Sequence, residues 1–299
     1  MIRINKKNLL EFITGYSFIL PGIILILIFI AFPAIASILL SFTKWKGYGD
    51  FNFVGLKNFI KMFTADRFFY VALKNSIIFS VFTTIGTVGI GFILAVIIDL
   101  KVKFWKFYRF IYFLPVVVSV IPLALLWVRM FDPYGLINNI LGKMNLEQLQ
   151  RVWLGEPDIA FFIIIIVTIW QYSGFPMIFF LAGMQNINEE IYEAARIDGA
   201  STIQRIFRIT VPLLRNVFSI IIMLQLIFSF KVFDIVWAMT QGGPAGSTEV
   251  LGTHLYQVAF RQMQFGYGSV VAVIMFLVSI IFAIVYIRVS GYRKTFFEI

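Results

Sequence analysis

The chain has 299 residues, of which 60% are hydrophobic and only 13% charged, and its formal net charge is +10. That much apolar surface is more than one soluble core can hide, which excludes an ordinary globular domain and points to a bilayer. With no cysteine and one histidine, disulfides, thiolate metal sites and multi-histidine sites are also excluded.

A helix needs about 20 apolar residues, rising about 1.5 Å each, to cross a hydrocarbon core of about 30 Å. Six runs meet that length, at 16–42, 76–98, 108–130, 159–184, 217–239 and 268–289. They are continuous and do not alternate apolar with polar, so a membrane barrel is excluded. The fold class expected is an all-α membrane protein with six transmembrane helices.

The first run follows Arg3, Lys6 and Lys7 and contains Ala34-Ile35-Ala36, an arrangement that imitates a cleavable signal peptide. It exceeds the usual signal core of about 7–15 residues and is read as an uncleaved span. Between the first and second runs, Lys44, Lys46, Lys57, Lys61, Arg67 and Lys74 are spread over a long loop with a surface helix expected at about 56–69.

Basic residues otherwise alternate in density from loop to loop. Lys101, Lys103, Lys106 and Arg109 follow the second run, and Arg196, Arg205, Arg208 and Arg215 follow the fourth. Two of the opposite loops hold only Lys143, Arg151 and Arg261. Cations mark cytoplasmic loops, so the charge is read as topology and not as a nucleic-acid surface. The expected domains are a cytoplasmic segment at 1–15, a transmembrane domain at 16–290 and a cytoplasmic tail at 291–299.

This orientation puts residues 185–216 in the cytoplasm, and there the sequence reads EEIYEAARIDGASTIQRIFRITVP at 189–212. Asn188 is a candidate N-cap, and Glu189 and Glu190 suit the positive end of a helix dipole. Asp198-Gly199 predicts a stop, because glycine readily takes the left-handed conformation. Ser201-Thr202-Ile203-Gln204 predicts a capping box for a second helix, which Pro212 closes. An amphipathic hairpin lying on headgroups has this pattern too. Ala194, Ala195 and Gly199, however, are small where a lipid-facing helix gains by being large, and small residues beside a carboxylate allow another protein to approach.

Glu193-Ala194-Ala195, three residues, Gly199, nine residues, Ile209, two residues and Pro212 resembles the EAA loop of permease subunits in binding-protein-dependent ABC importers. SFTKW at 41–45, FVGLKNF at 53–59, FLP at 113–115, LAGMQ at 181–185, Phe233-Asp234 and MTQGGPAGST at 239–248 are similar to the first permease type of the carbohydrate-uptake group, which includes maltose, glycerol-phosphate and multiple-sugar permeases. The sequence departs from the family in having Val211 where leucine is frequent and in lacking the large outer insert of the maltose permease.

The resemblance implies a type I ABC importer permease fold with a cytoplasmic EAA coupling loop. It implies Glu193 as the electrostatic contact to an ATPase, Ala194 and Ala195 as the close-packed face, and Asp198 and Gly199 as the turn. The partners it implies are a second permease, two ATPase subunits that bind ATP and Mg, and an extracytoplasmic solute-binding protein, in a bacterial cytoplasmic membrane. This chain is then no enzyme and holds no cofactor of its own.

Polar residues inside spans are costly and mark candidate routes. Gln225 and Ser229 lie four apart in the fifth run, with Lys231 and Asp234 beyond. In the fourth run Gln171, Ser173 and Gly174 precede Pro176, which is expected to kink the helix and free a carbonyl. By resemblance both places line the sugar route, although interhelical hydrogen bonding is the plainer role for Gln225, Ser229 and Ser173. Lys231 and Asp234, three apart on one expected helix, are read as neutralising each other.

Arg129 is read as reaching to the interface, and Gln241-Gly242-Gly243-Pro244 as a tight outer turn. An ion-driven transporter would call for an internal repeat and paired intramembrane acids, and neither is evident. No phosphate loop or nucleophile elbow occurs either, so the energy for transport is expected from a partner or an ion gradient; the resemblance implies partner ATPases, and an ion-driven secondary transporter is the alternative. A non-sugar solute such as a polyol phosphate is the alternative cargo.

Overall fold

The computed structural model describes residues 6–290. The tail at 291–299 and residues 1–5 of the N-terminal segment lie outside the described residues. Helices Tyr16–Ser41, Arg67–Asp99, Pro157–Gln185 and Phe265–Arg288 are long and apolar enough to span a membrane. Two bent pairs, Trp105–Val117 with Val120–Met130 and Thr202–Leu213 with Arg215–Phe230, bring the total to six when each counts as one span.

By internal contacts the chain forms two compact units, one of residues up to 65 together with 255–274, the other of 66–254 together with the chain from 275. In the first unit the motif SFTKW pairs back on the motif FVGLKNF. Strands Thr43–Lys44 and Asn52–Phe53 run antiparallel, with Thr43 opposite Phe53. The Asn58 amide donates to the carbonyls of Ser41 and Thr43, at 3.0 and 2.8 Å. These motifs therefore clasp the C-terminal end of the first span.

The expected surface helix at 56–69 is shorter, Lys57–Ala65, and the second span begins earlier, at Arg67. Asp66 is the reason: its carboxylate accepts from the Phe69 N–H at 3.0 Å, and an N-cap starts a new helix where the previous one would have continued. The second span, 33 residues long, is the axis of the second unit. Its face packs on the fourth and fifth spans around Val88, Ala95, Phe180 and Ile221.

Close approach on that face depends on small residues. A Cβ on Gly91 would meet Pro176 and the Ser173 carbonyl, and one on Gly174 would strike the Tyr112 carbonyl. Ser80 donates across to the Leu226 carbonyl at 2.9 Å. Small residues and hydroxyl links of this kind are the usual cement between membrane helices.

Two expected continuous spans are broken. The third bends by 99° between Val117 and Val120. Pro122 has no N–H to give the Val118 carbonyl, so the helix stops there and restarts. The fifth ends at Phe230, and a separate helix, Asp234–Thr240, follows. A Cβ on Gly252 would strike the Val232 carbonyl, so the helix Leu251–Tyr256 packs directly on this break.

Pro212, expected to close the second hairpin helix, does not. A π turn at Ile206–Thr210 precedes it, and the helical path runs on to Leu213. The wider turn shifts the hydrogen-bond register just before a residue that lacks a donor. The same device stands before Pro33, where the π turn is Leu27–Ala31.

Candidate functional site

The EAA hairpin forms as its local chemistry dictates. Asn188 caps the helix Glu189–Ile197, its side chain accepting from the Glu190 N–H at 3.1 Å. The helix closes when Gly199 takes φ +77°, with Ala200 N–H donating to the Ala195 carbonyl and Gly199 N–H to that of Arg196. That pair of bonds is the glycine-dependent Schellman closure. Ser201 and Gln204 complete the capping box, at 2.8 and 3.3 Å.

No residue of the helix Glu189–Ile197 is buried. Ala195 is half-buried, while Glu193, Ala194, Asp198 and Gly199 are exposed. Glu189 takes Arg196 at 3.7 Å, and among the described residues Glu193 has no ion pair. Ile197, Ile203 and Phe207 add an apolar surface, each more than 60% exposed. An unpaired carboxylate beside small residues and exposed apolar side chains is the composition of a protein contact left open.

The hairpin follows the fourth span directly and leads into the fifth at a buried residue. Leu214 is buried among Met184, Leu181 and Ile221, and from it Arg215–Phe230 leaves at 70° to Thr202–Leu213. The second limb of the hairpin therefore leads straight into the helix that carries Gln225 and Ser229.

Beside the break in the fifth span lies a cavity of about 430 Å³. Gln225, Ser229 and Lys231 line it, with Thr87 and Thr168 from the second and fourth spans and the rings of Tyr172, Phe175, Phe228 and Phe233. The Gln225 Nε2 is buried and has no partner among the described residues. Hydroxyls and one free amide set among aromatic faces can hold a hydroxylated solute by hydrogen bonds and ring stacking. Thr87 and Thr168 escaped the sequence reading, because a threonine in a span donates to its own helix, here at 2.7 Å to Thr83 and 2.7 Å to Ile164, and so resembles a mere packing residue.

Gln171, Ser173 and Gly174 lie apart from that lining. Ser173 donates to the Ile169 carbonyl of its own helix, and Gly174 sits against the Tyr112 backbone. Gln171 is fully buried, with both amide atoms unpartnered among the described residues. Lys231 and Asp234 are not ion-paired, because the helix break separates them: Lys231 caps one helix and Asp234 starts the next.

A further polar cluster gathers around the turn Gln241–Gly246. His254 Nε2 lies 3.1 Å from Asp66 Oδ2, and the Asn75 amide donates to the carbonyls of Ser247 and Glu249, at 2.8 and 2.9 Å. Burial pushes the Glu249 carboxyl up to about 7, and Asp66 adds to that. Burial also lowers His254, against the opposing pull of Asp66. A Cβ on Gly242 would strike the Glu249 carboxyl, which is why the GGP turn needs glycine there. The lone histidine gave no signal in sequence, since its partner stands 188 residues earlier.

Six spans, a polar cavity at a broken helix and an exposed hairpin fused to that helix define a multi-pass membrane permease. Residues 87–291 match the family described as binding-protein-dependent transport system inner membrane component, and the chain belongs to it. It is 38% identical to a probable ABC transporter permease of Pyrococcus horikoshii, over 90% of this chain and 93% of that one. It is 33% identical to the trehalose/maltose transport system permease protein MalF of Thermococcus litoralis, over 97% and 98%. Among solved structures, a bacterial alginate ABC transporter in complex with an alginate pentasaccharide-bound periplasmic protein aligns with a TM-score of 0.85, at 25% identity, over 97% of this chain and 98% of that one.

Proposed function

We propose that this chain is the membrane-spanning subunit of an ATP-driven importer that carries a sugar or oligosaccharide handed over by an extracytoplasmic binding protein. The observation that carries this reading is the cavity at the break of the fifth span, where Gln225, Ser229 and Lys231 meet five aromatic rings. The trehalose/maltose and alginate relatives support the same cargo class. In this reading Gln171, Ser173 and Gly174 belong to the route at another stage of the cycle.

The hairpin faces the cytoplasm, with both termini on that side. Two partner ATPase subunits bind ATP and Mg, and this chain performs no hydrolysis and holds no cofactor. Glu193 meets a basic residue of the ATPase, Ala194 and Ala195 pack against it, and Asp198 and Gly199 form the turn. A second permease covers apolar faces such as the first span, whose most apolar stretch has no residue buried within the chain. Closure of the ATPase pair moves the hairpin, and the continuous path through Leu214 passes that motion to Gln225 and Ser229. Two packed arrangements of one joint turn a small shift into alternating access.

Uptake of radiolabelled trehalose, maltose and longer glucans into proteoliposomes tests the route. The pair Gln225→Ala with Ser229→Ala should reduce uptake about tenfold or more, about the loss of two hydrogen bonds, while basal ATP hydrolysis is retained. Unchanged uptake kinetics would remove both residues from the pathway.

A further inference from the structure

A second, larger cavity lies beneath the hairpin, about 590 Å³ in volume, between the inner ends of the second, third and fourth spans and both hairpin limbs. Its walls hold four cations, Lys101, Arg109, Arg196 and Arg205, against two carboxylates, Asp99 and Glu189. Glu189 already takes Arg196 at 3.7 Å, and Lys101 is the cation acting on Asp99. Neither Arg109 nor Arg205 has a carboxylate partner among the described residues. Arg205 reaches only the Thr202 hydroxyl, at 3.1 Å, and its Nε is buried with no acceptor.

A buried guanidinium N–H without an acceptor is a costly arrangement, and an anion seated against it removes the cost. Two unpaired guanidinium groups facing one cavity suit a tetrahedral phosphate group, because each planar fork donates two parallel bonds and a phosphate offers several acceptor oxygens. A single carboxylate would satisfy one fork and leave the other. The volume exceeds a bare phosphate several-fold, so the occupant carries a body beyond its charged head.

We propose that this cavity binds a phosphate-bearing anion, held between Arg109 and Arg205. Such an occupant touches the span ends through Arg109 and the hairpin through Arg205, so it biases the joint toward whichever arrangement binds it better. Only that regulatory consequence, and the side of the membrane, rests on the coupling reading above; the site itself does not. Its chemistry fits either a soluble phosphomonoester or the headgroup of an anionic phospholipid.

The test uses the full chain in nanodiscs of pure phosphatidylcholine, titrated calorimetrically with inorganic phosphate at constant ionic strength. The expected result is saturable binding at one site, weakened about tenfold or more by Arg109→Gln or Arg205→Gln. Arg208→Gln, on the exposed side of the hairpin, should leave it unchanged. In discs containing phosphatidylglycerol, loss of the phosphate signal with that lipid retained by the wild type and not by the arginine variants, read by native mass spectrometry, identifies the lipid as the source. If Arg205→Gln fails to assemble, Arg109→Gln carries the test, since Arg109 makes no side-chain hydrogen bond among the described residues. Binding of neither probe, or binding that ignores both arginines, overturns the proposal. Neither transport nor hydrolysis is measured, so failure of the sugar reading leaves this result intact.

Discussion

The hairpin at 185–216 and the cavity beside Gln225 are both polar, yet they are built in opposite ways. Every cap of the hairpin is supplied by a residue within five positions of the group it satisfies, so its shape follows from a short stretch of chain. The cavity takes residues from the second, third, fourth and fifth spans, and its free amide has no partner among the described residues. A self-sufficient element can move as a unit without losing its structure, as a transmission part must. A site assembled from four spans changes whenever one of them shifts, as an alternating-access route must.

The strongest way to break this contrast is charge reversal on the hairpin. Glu193→Lys should reduce ATPase co-purification by about tenfold or more, through like-charge repulsion at a protein contact, while the chain still inserts in the membrane. Retention of the ATPase would remove Glu193 from the joint. Next in size is Gly174→Val. The new side chain would strike the backbone of Tyr112, so a loss of about 3 kcal/mol is expected, at the upper end of overpacking costs. Thermal unfolding in detergent measures it.

Gln171→Met sharpens the comparison from the cavity side. Its amide is fully buried and unpartnered, and removing such a group should raise stability by about 1 kcal/mol while lowering transport. A gain in melting temperature with unaltered uptake would make Gln171 a packing residue.

The smallest effect concerns pH. Glu249 has its carboxyl raised by burial to about 7, so the folded state holds that proton more tightly than the unfolded chain. Its contribution to stability is complete below about 4.5 and is lost as pH rises through about 7. His254 acts in the opposite sense, since its lowered value gives stability that is lost on acidification. Glu249→Gln removes the first effect alone and should flatten the fall in stability toward neutral pH by about 1 kcal/mol, read from melting temperatures across pH 4 to 8. An unchanged slope would place the titration elsewhere.

The contrast also explains what the sequence disclosed. Asn188, Gly199, Ser201 and Gln204 act on neighbouring backbone groups, so their pattern predicts the hairpin almost residue by residue. Apolar length likewise predicts six spans. What remained hidden depends on distant partners or on competition between local signals. Asp66 restarted a helix within a stretch that read as continuous, and the π turn at Ile206–Thr210 carried the chain past Pro212. The break after Phe230 has no proline or glycine to announce it and rests on Gly252, some twenty residues on. For the same reason Lys231 and Asp234 read as a helical ion pair, and Asp66, Glu249 and His254 did not read as a cluster at all.

The most direct measurement is ATP hydrolysis by the complex reconstituted with the proposed second permease, ATPase and binding protein, with the binding protein loaded in turn with mono- and oligosaccharides. At least one sugar is expected to stimulate hydrolysis several-fold in the wild type, and Glu193→Lys should abolish that stimulation. Stimulation by a polyol phosphate or a peptide and by no sugar would contradict the cargo, and full stimulation in Glu193→Lys would contradict the joint between hairpin and cavity.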